Sequence, residues 1–228
     1  MRKITLTMSL LLFFGFSLYA QPRAVGEPRV LVQSFEPLQM PVWSADGSTL
    51  FLNNGTMEVS KNGTNLRQAS APVSNLTRRT ADSNQLVRRM VDAPMQVASQ
   101  VVGLNSLAGE LIFNPVMSPT GDRVVFQAGN KGMFVVNADG TGLRSLGTQY
   151  GRATWTPDGQ YVVVMVEGND GYFITRGELF SINVNTGAVS PLLTSDRYIA
   201  FSPAISPDGR TLAFEEVRTG AIFIMDIE

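Results

Sequence analysis

The chain contains no cysteine and no histidine. That double absence excludes disulfides, a cysteine nucleophile, a Ser–His–Asp triad, a histidine-ligated zinc and a histidine general base. Any catalysis would have to run on carboxylates, tyrosine, lysine or serine. Without cysteine, disulfides say nothing of redox compartment. Lysine is nearly missing, with only Lys3, Lys61 and Lys131, and the tryptophans are Trp43 and Trp155 alone. The formal net charge of −1 leaves no positive excess for a polyanion, so no nucleic-acid partner is expected. No apolar run beyond the first twenty residues is long enough to span a bilayer.

Glycine and proline are plentiful by contrast, at 21 and 12 of 228 residues, and both are spread along the chain. This is the distribution that an all-β fold with many turns needs. The length suits one domain with a substantial core.

Met1-Arg2-Lys3 is a positive start, followed by an apolar segment centred on Leu10-Leu11-Leu12-Phe13-Phe14 and a small residue at Ala20. This is the layout of a secretory signal peptide over residues 1–20, and the segment is short for a membrane anchor. No cysteine follows it, so a lipoprotein anchor is excluded. The expected mature protein is periplasmic or secreted, and not integral to the membrane.

Self-similarity runs through the remainder. Pro41-Val42-Trp43-Ser44-Ala45-Asp46-Gly47, Pro115-Val116-Met117-Ser118-Pro119-Thr120-Gly121, Ala153-Thr154-Trp155-Thr156-Pro157-Asp158-Gly159 and Pro203-Ala204-Ile205-Ser206-Pro207-Asp208-Gly209 are plainly related. An apolar run follows each one. The turn Ser/Thr positions 44, 118, 156 and 206 are separated by 74, 38 and 50 residues. The long first gap predicts a hidden copy, and Thr80-Ala81-Asp82-Ser83-Asn84-Gln85-Leu86-Val87 lines up as a worn one. Each unit reads as four strands, which is the signature of a propeller blade. The expected fold is therefore an all-β propeller of about five four-stranded blades. Its units lie near 38–74, 75–112, 113–149, 150–199 and 200–228, after a linker over 21–28. The last unit lacks a fourth strand, and the orphan strand over 29–35 is expected to supply it and close the ring.

At these motifs the chain resembles the TolB-like β-propeller superfamily, whose repeat reads roughly Pro-x-Trp-Ser-Pro-Asp-Gly before a hydrophobic strand. The resemblance spans about residues 38–228. It implies export to the periplasm and a non-catalytic, protein-binding or scaffold role in the cell envelope. Five units are fewer than the six usual in the family's periplasmic members. Fold alone does not assign function. The same superfamily includes propellers that gate α/β-hydrolase peptidases. No Gly-x-Ser-x-Gly elbow occurs here, so that alternative reduces to regulating a separate enzyme. A second alternative is a carboxylate-based glycoside hydrolase or a lectin-like propeller, which needs acids converging in the central channel.

Candidate site residues fall into four groups. Asp46, Gly47, Gly121, Asp158, Gly159, Asp208 and Gly209 read as structural turns, with Asp bonding nearby backbone and Gly supplying positive φ. They lack the ligand run of a calcium loop, and no metal or cofactor is expected. Trp43 and Trp155 read as blade-to-blade packing or a ligand platform. Arg78, Arg79, Arg88 and Arg89 in the worn unit form a partner patch or a solvated surface. Finally, the fourth unit's extra length falls around residues 167–176. There Tyr172, Phe173 and Arg176 read as interface anchors or as part of a plain flexible loop. A monomer with one envelope protein as partner is the expectation.

Overall fold

The computed structural model describes residues 20–70 and 84–228. Among these residues, four four-stranded antiparallel sheets make up the β-propeller. Blade I holds β2 (Val42–Trp43), β3 (Thr49–Leu52), β4 (Met57–Ser60) and β5 (Arg67–Gln68). Blade II holds β6 (Ile112–Met117), β7 (Arg123–Ala128), β8 (Gly132–Asn137) and β9 (Arg144–Gly147). Blade III holds β10 (Tyr150–Trp155), β11 (Tyr161–Asn169), β12 (Ile174–Asn183) and β13 (Val189–Leu193). Blade IV is built from β14 (Ala200–Ile205), β15 (Thr211–Glu216) and β16 (Ala221–Ile227), completed by β1 (Ala24–Val32) as its outer strand.

The N-terminal strand thus closes the ring as its sequence implied, with Val30 opposite Phe223 and Arg29 opposite Ile224. It starts and ends earlier than the expected 29–35, running from Ala24 to Val32. Ala24 already pairs with Ile227, inside the stretch read as linker, and register shifts on either side of Arg29–Val30 keep the strand attached. Arg23 and Glu228 extend the seam through two backbone hydrogen bonds of 2.9 and 3.0 Å.

The second strand of blades II, III and IV is apolar at successive positions because both of its faces are covered. In β7, Val125 packs against Val162 and Val164 of blade III, while Val124 and Phe126 face the opposite way. In β11, Val163 and Met165 meet Leu212 and Phe214 of blade IV. In β15, Ala213 joins Leu50 and Leu52 of blade I. The core is therefore a series of layers between neighbouring blades.

The unit expected over 75–112 is not a four-stranded blade among the described residues. Gln85–Asp92 form helix α1, and Val97–Gln100 form a short α2 that leads into a 3-10 turn over Val102–Leu107. Local chemistry explains the difference. Leu86, Val87 and Met90 are buried on one side of a turn-and-a-bit, which is helical rather than strand periodicity. Asn84 caps the helix, its Oδ1 accepting from Leu86 N at 2.8 Å and Val87 N at 3.1 Å. Pro94 prevents continuation. The helical segment does a blade's packing work. Leu86, Val87, Met90, Leu104 and Leu107 cover the Val124–Phe126 face of blade II that a preceding blade would otherwise cover.

Candidate functional site

The first strands β2, β6, β10 and β14, with the turns that follow them, surround a central cavity of about 530 Å³. Its walls are mainly apolar, formed by residues such as Pro41, Val116, Pro203 and Ile205 and by both tryptophans. Each indole binds the preceding blade. Trp43 Nε1 donates to Ala204 O at 3.1 Å, and Trp155 Nε1 donates to Val116 O at 3.0 Å. Arg123 of blade II lies over the Trp155 ring at 5.8 Å and donates to Gly159 O and Asn185 Oδ1 of blade III.

The Asp-Gly turns close one end. In each, the turn Gly N–H donates to the carbonyl of the Ser/Thr three residues earlier at 2.9 Å, with φ of 67–74°. Asp46 Oδ1 accepts from Ser44 Oγ at 2.6 Å and Ser48 N at 3.0 Å, and these bonds hold its carboxyl down at about 2. Asp208 accepts likewise from Ser206 Oγ and Arg210 N, and Asp158 from Thr156 Oγ1 and Gln160 N. Blade II lacks the Asp at this position. Asp122, one residue past Gly121, replaces it by accepting from Thr120 Oγ1 and Ser118 Oγ.

The opposite end carries polar groups that lie outside the repeated turn motif. Residues four before the turn Ser/Thr are Met40, Asn114, Arg152 and Ser202. Met40, Asn114 and Ser202 each precede a proline at positive φ, of 50, 51 and 47°. In blades II, III and IV the strand register shifts at this point, between Phe113 and Val116, Tyr150 and Ala153, and Phe201 and Ala204. Residues nine after the turn Ser/Thr are Asn53, Gln127, Met165 and Glu215, where the apolar run of the second strand ends. Gln127 Nε2 donates to Tyr150 O of the next blade at 3.4 Å, and Glu215 Oε2 accepts from Met40 N of the next blade at 3.4 Å. Burial pushes the Glu215 carboxyl up, against opposing hydrogen bonds from Met40 and Ser202 and the charge of Arg152. Aligning the four units column by column would have exposed both positions.

The longest hairpin rises from this same end. Trp155 lies opposite Val162 beside the Asp-Gly turn, whereas Tyr150 lies opposite Val166, towards the β11–β12 tip. At the tip, Asp170 Oδ1 accepts from Tyr172 N at 2.9 Å and Phe173 N at 2.8 Å, bonds that lower its carboxyl. The turn so formed presents Tyr172 at 92% exposure and Phe173 at 74%. Arg176 is exposed and pairs with Glu178 at 3.6 Å. Arg88 and Arg89 lie exposed on α1, while Arg78 and Arg79 fall outside the described residues. The structure therefore gathers Trp43 and Trp155 at the cavity and Tyr172, Phe173 and Arg176 at one hairpin, and leaves Arg88 and Arg89 apart from both. Among the described residues no cluster of acidic side chains could hold a metal ion.

No family model matches the chain. Over 122 residues, half of the chain, it is 30% identical to a Protein TolB homolog from Chlorobium luteolum. The likeness is to the TolB-like β-propellers. The matched stretch is 26% of that relative's length, so the chain spans about a quarter of it. Among solved structures the chain is similar to a putative TolB from Agrobacterium tumefaciens. That match has 19% identity and a TM-score of 0.37, covering 86% of this chain and 60% of the other. It is also similar to the β-propeller domain of the Trilobed protease from Pyrococcus furiosus, described as having an open velcro topology. There the identity is 16% and the TM-score 0.40, over 51% of this chain and 39% of the other.

Proposed function

We propose that this TolB-like propeller is an exported, non-catalytic protein-binding module of the cell envelope, and that the β11–β12 hairpin is its partner contact. The observation that carries the reading is the hairpin tip, where two aromatic side chains stand almost fully in water on a turn locked by Asp170. Ordered, exposed aromatics beside an arginine are the composition of binding hot spots. Export rests on the leader-like residues 1–20, and no helix among the described residues is long and apolar enough to cross a membrane.

A non-catalytic role fits the cavity better than glycoside hydrolysis. That chemistry takes two carboxyl groups roughly 5–9.5 Å apart flanking the bond. No acidic side chain lines the cavity among the described residues, and Glu215 is a single acid near its mouth.

The test is photo-crosslinking in the native envelope, with the reactive group placed at Tyr172, followed by mass spectrometry. The expected result is one specific protein partner, lost from the Phe173→Ala and Arg176→Ala variants. Recovery of the same proteins from a probe placed at exposed Val189 on the rim of blade III would refute the assignment.

A further inference from the structure

Arg152 is the one charged side chain lining the central cavity among the described residues. It is half-buried, and it makes no hydrogen bond or ion pair with any described residue. Among the described residues its electrostatic neighbour is Glu215, whose carboxylate already accepts from Met40 N and is also hydrogen-bonded by Ser202. At the equivalent position the other three blades carry the neutral Met40, Asn114 and Ser202. Blade III thus places a cation where the repeat has none, and pairs it with Ala153 in place of the proline.

A guanidinium withdrawn partly from water without acceptors is costly, and its planar donor fork matches a carboxylate in bidentate fashion. The surrounding walls are mainly apolar, with the hydroxyls of Ser44, Thr154, Ser202 and Ser206 among them. A volume of about 530 Å³ lies in the range of small-molecule sites, which are typically apolar with a few placed polar groups. Glu215 sets the charge of the occupant. One cation with an acid nearby suits a monoanion and disfavours a dianion such as phosphate. We propose that the central cavity binds a small monocarboxylate with an apolar body, its carboxylate on Arg152 and its body between Trp43, Trp155 and the proline walls.

The two tryptophans of the chain both line the cavity, so intrinsic fluorescence reads it directly. The purified full chain is titrated with octanoate, octanamide and inorganic phosphate, with calorimetry in parallel. The expected result is saturable binding of octanoate, at least about ten-fold weaker binding of octanamide, and none of phosphate. Arg152→Met should weaken octanoate about ten-fold while leaving octanamide unchanged, and Arg152→Lys should keep part of the preference. Thermal melts of each variant report folding. Equal affinity for acid and amide, preference for phosphate, or no saturable octanoate binding would each overturn the proposal. The hairpin variants Phe173→Ala and Arg176→Ala should bind octanoate as wild type does, so this site and the partner contact fail or stand separately.

Discussion

The indole N–H of Trp43 donates to the carbonyl of Ala204 across the seam where the last blade meets the first, at 3.1 Å. Trp155 makes the same contact to Val116 inside the ring, at 3.0 Å. The two tryptophans occupy one position of the repeat, and each reaches the first strand of the blade before it. The closing seam is therefore built like an ordinary internal interface.

Trp43→Phe and Trp155→Phe each remove one interblade hydrogen bond and part of the packing around it. Each should lower unfolding free energy by about 1–2 kcal/mol in urea titrations. A Trp43→Phe variant as stable as wild type, beside a weakened Trp155→Phe, would mean that the seam is loose in solution.

Removing β1 uncovers the edge of β16 and takes Val32 out of the layer formed with Leu38, Ile222 and Ile224. A chain starting at residue 33 should lose at least about 3 kcal/mol and aggregate through the freed edge. Urea midpoints and light scattering would check this.

Gly209 and Gly121 have nearly the same backbone conformation, with φ of 73 and 74°. A Cβ on Gly209 would lie 3.3 Å from Pro157 of the preceding blade, whereas one on Gly121 meets nothing within 4 Å. Both alanine variants should lose about 1–2 kcal/mol from the left-handed backbone. Gly209→Ala should be the less stable of the two, because only there must a neighbouring blade give way. Equal melting temperatures would show that the blades separate freely at this contact.

Acid should act on the turns and on Glu215 in opposite directions. Asp46, Asp122 and Asp208 have carboxyls lowered chiefly by hydrogen bonds from Ser and Thr hydroxyls. Their stabilisation is present above the ordinary Asp value of 3.8 and is lost as pH falls towards about 2, the value for Asp46. Glu215 is raised above 4.5 by burial, so it favours the folded state below that value and costs stability as pH rises through its folded value. Glu215→Gln should therefore be at least as stable as wild type at pH 7 and lose that advantage by pH 4. Denaturant midpoints against pH would read both effects, and a Glu215→Gln deficit that is largest at pH 7 would contradict this account.

Helix α1 rests on its cap. Asn84→Ala removes the acceptor for Leu86 N and Val87 N and should cost about 1 kcal/mol. Faster amide hydrogen exchange confined to residues 85–92 would localise the loss, whereas uniform acceleration would place it elsewhere.

The propeller was legible in the sequence because its blade is a local object. A turn of Ser/Thr, Asp and Gly with a doubly covered strand after it leaves a pattern that survives in four copies, and the unpaired strand at one end implied the missing strand at the other. What the sequence did not reveal depends on distant neighbours. Spacing suggested a blade around Thr80, but whether Leu86, Val87 and Met90 pack as strand or helix depends on what must cover Val124 and Phe126, and a capped helix covers that face. Arg152 looked like any surface arginine until the ring turned its position inward, where the first strands converge. Short-range backbone chemistry sets a blade, whereas the fill of the gap between blades and the charge at the channel mouth exist only once residues far apart in the chain are brought together.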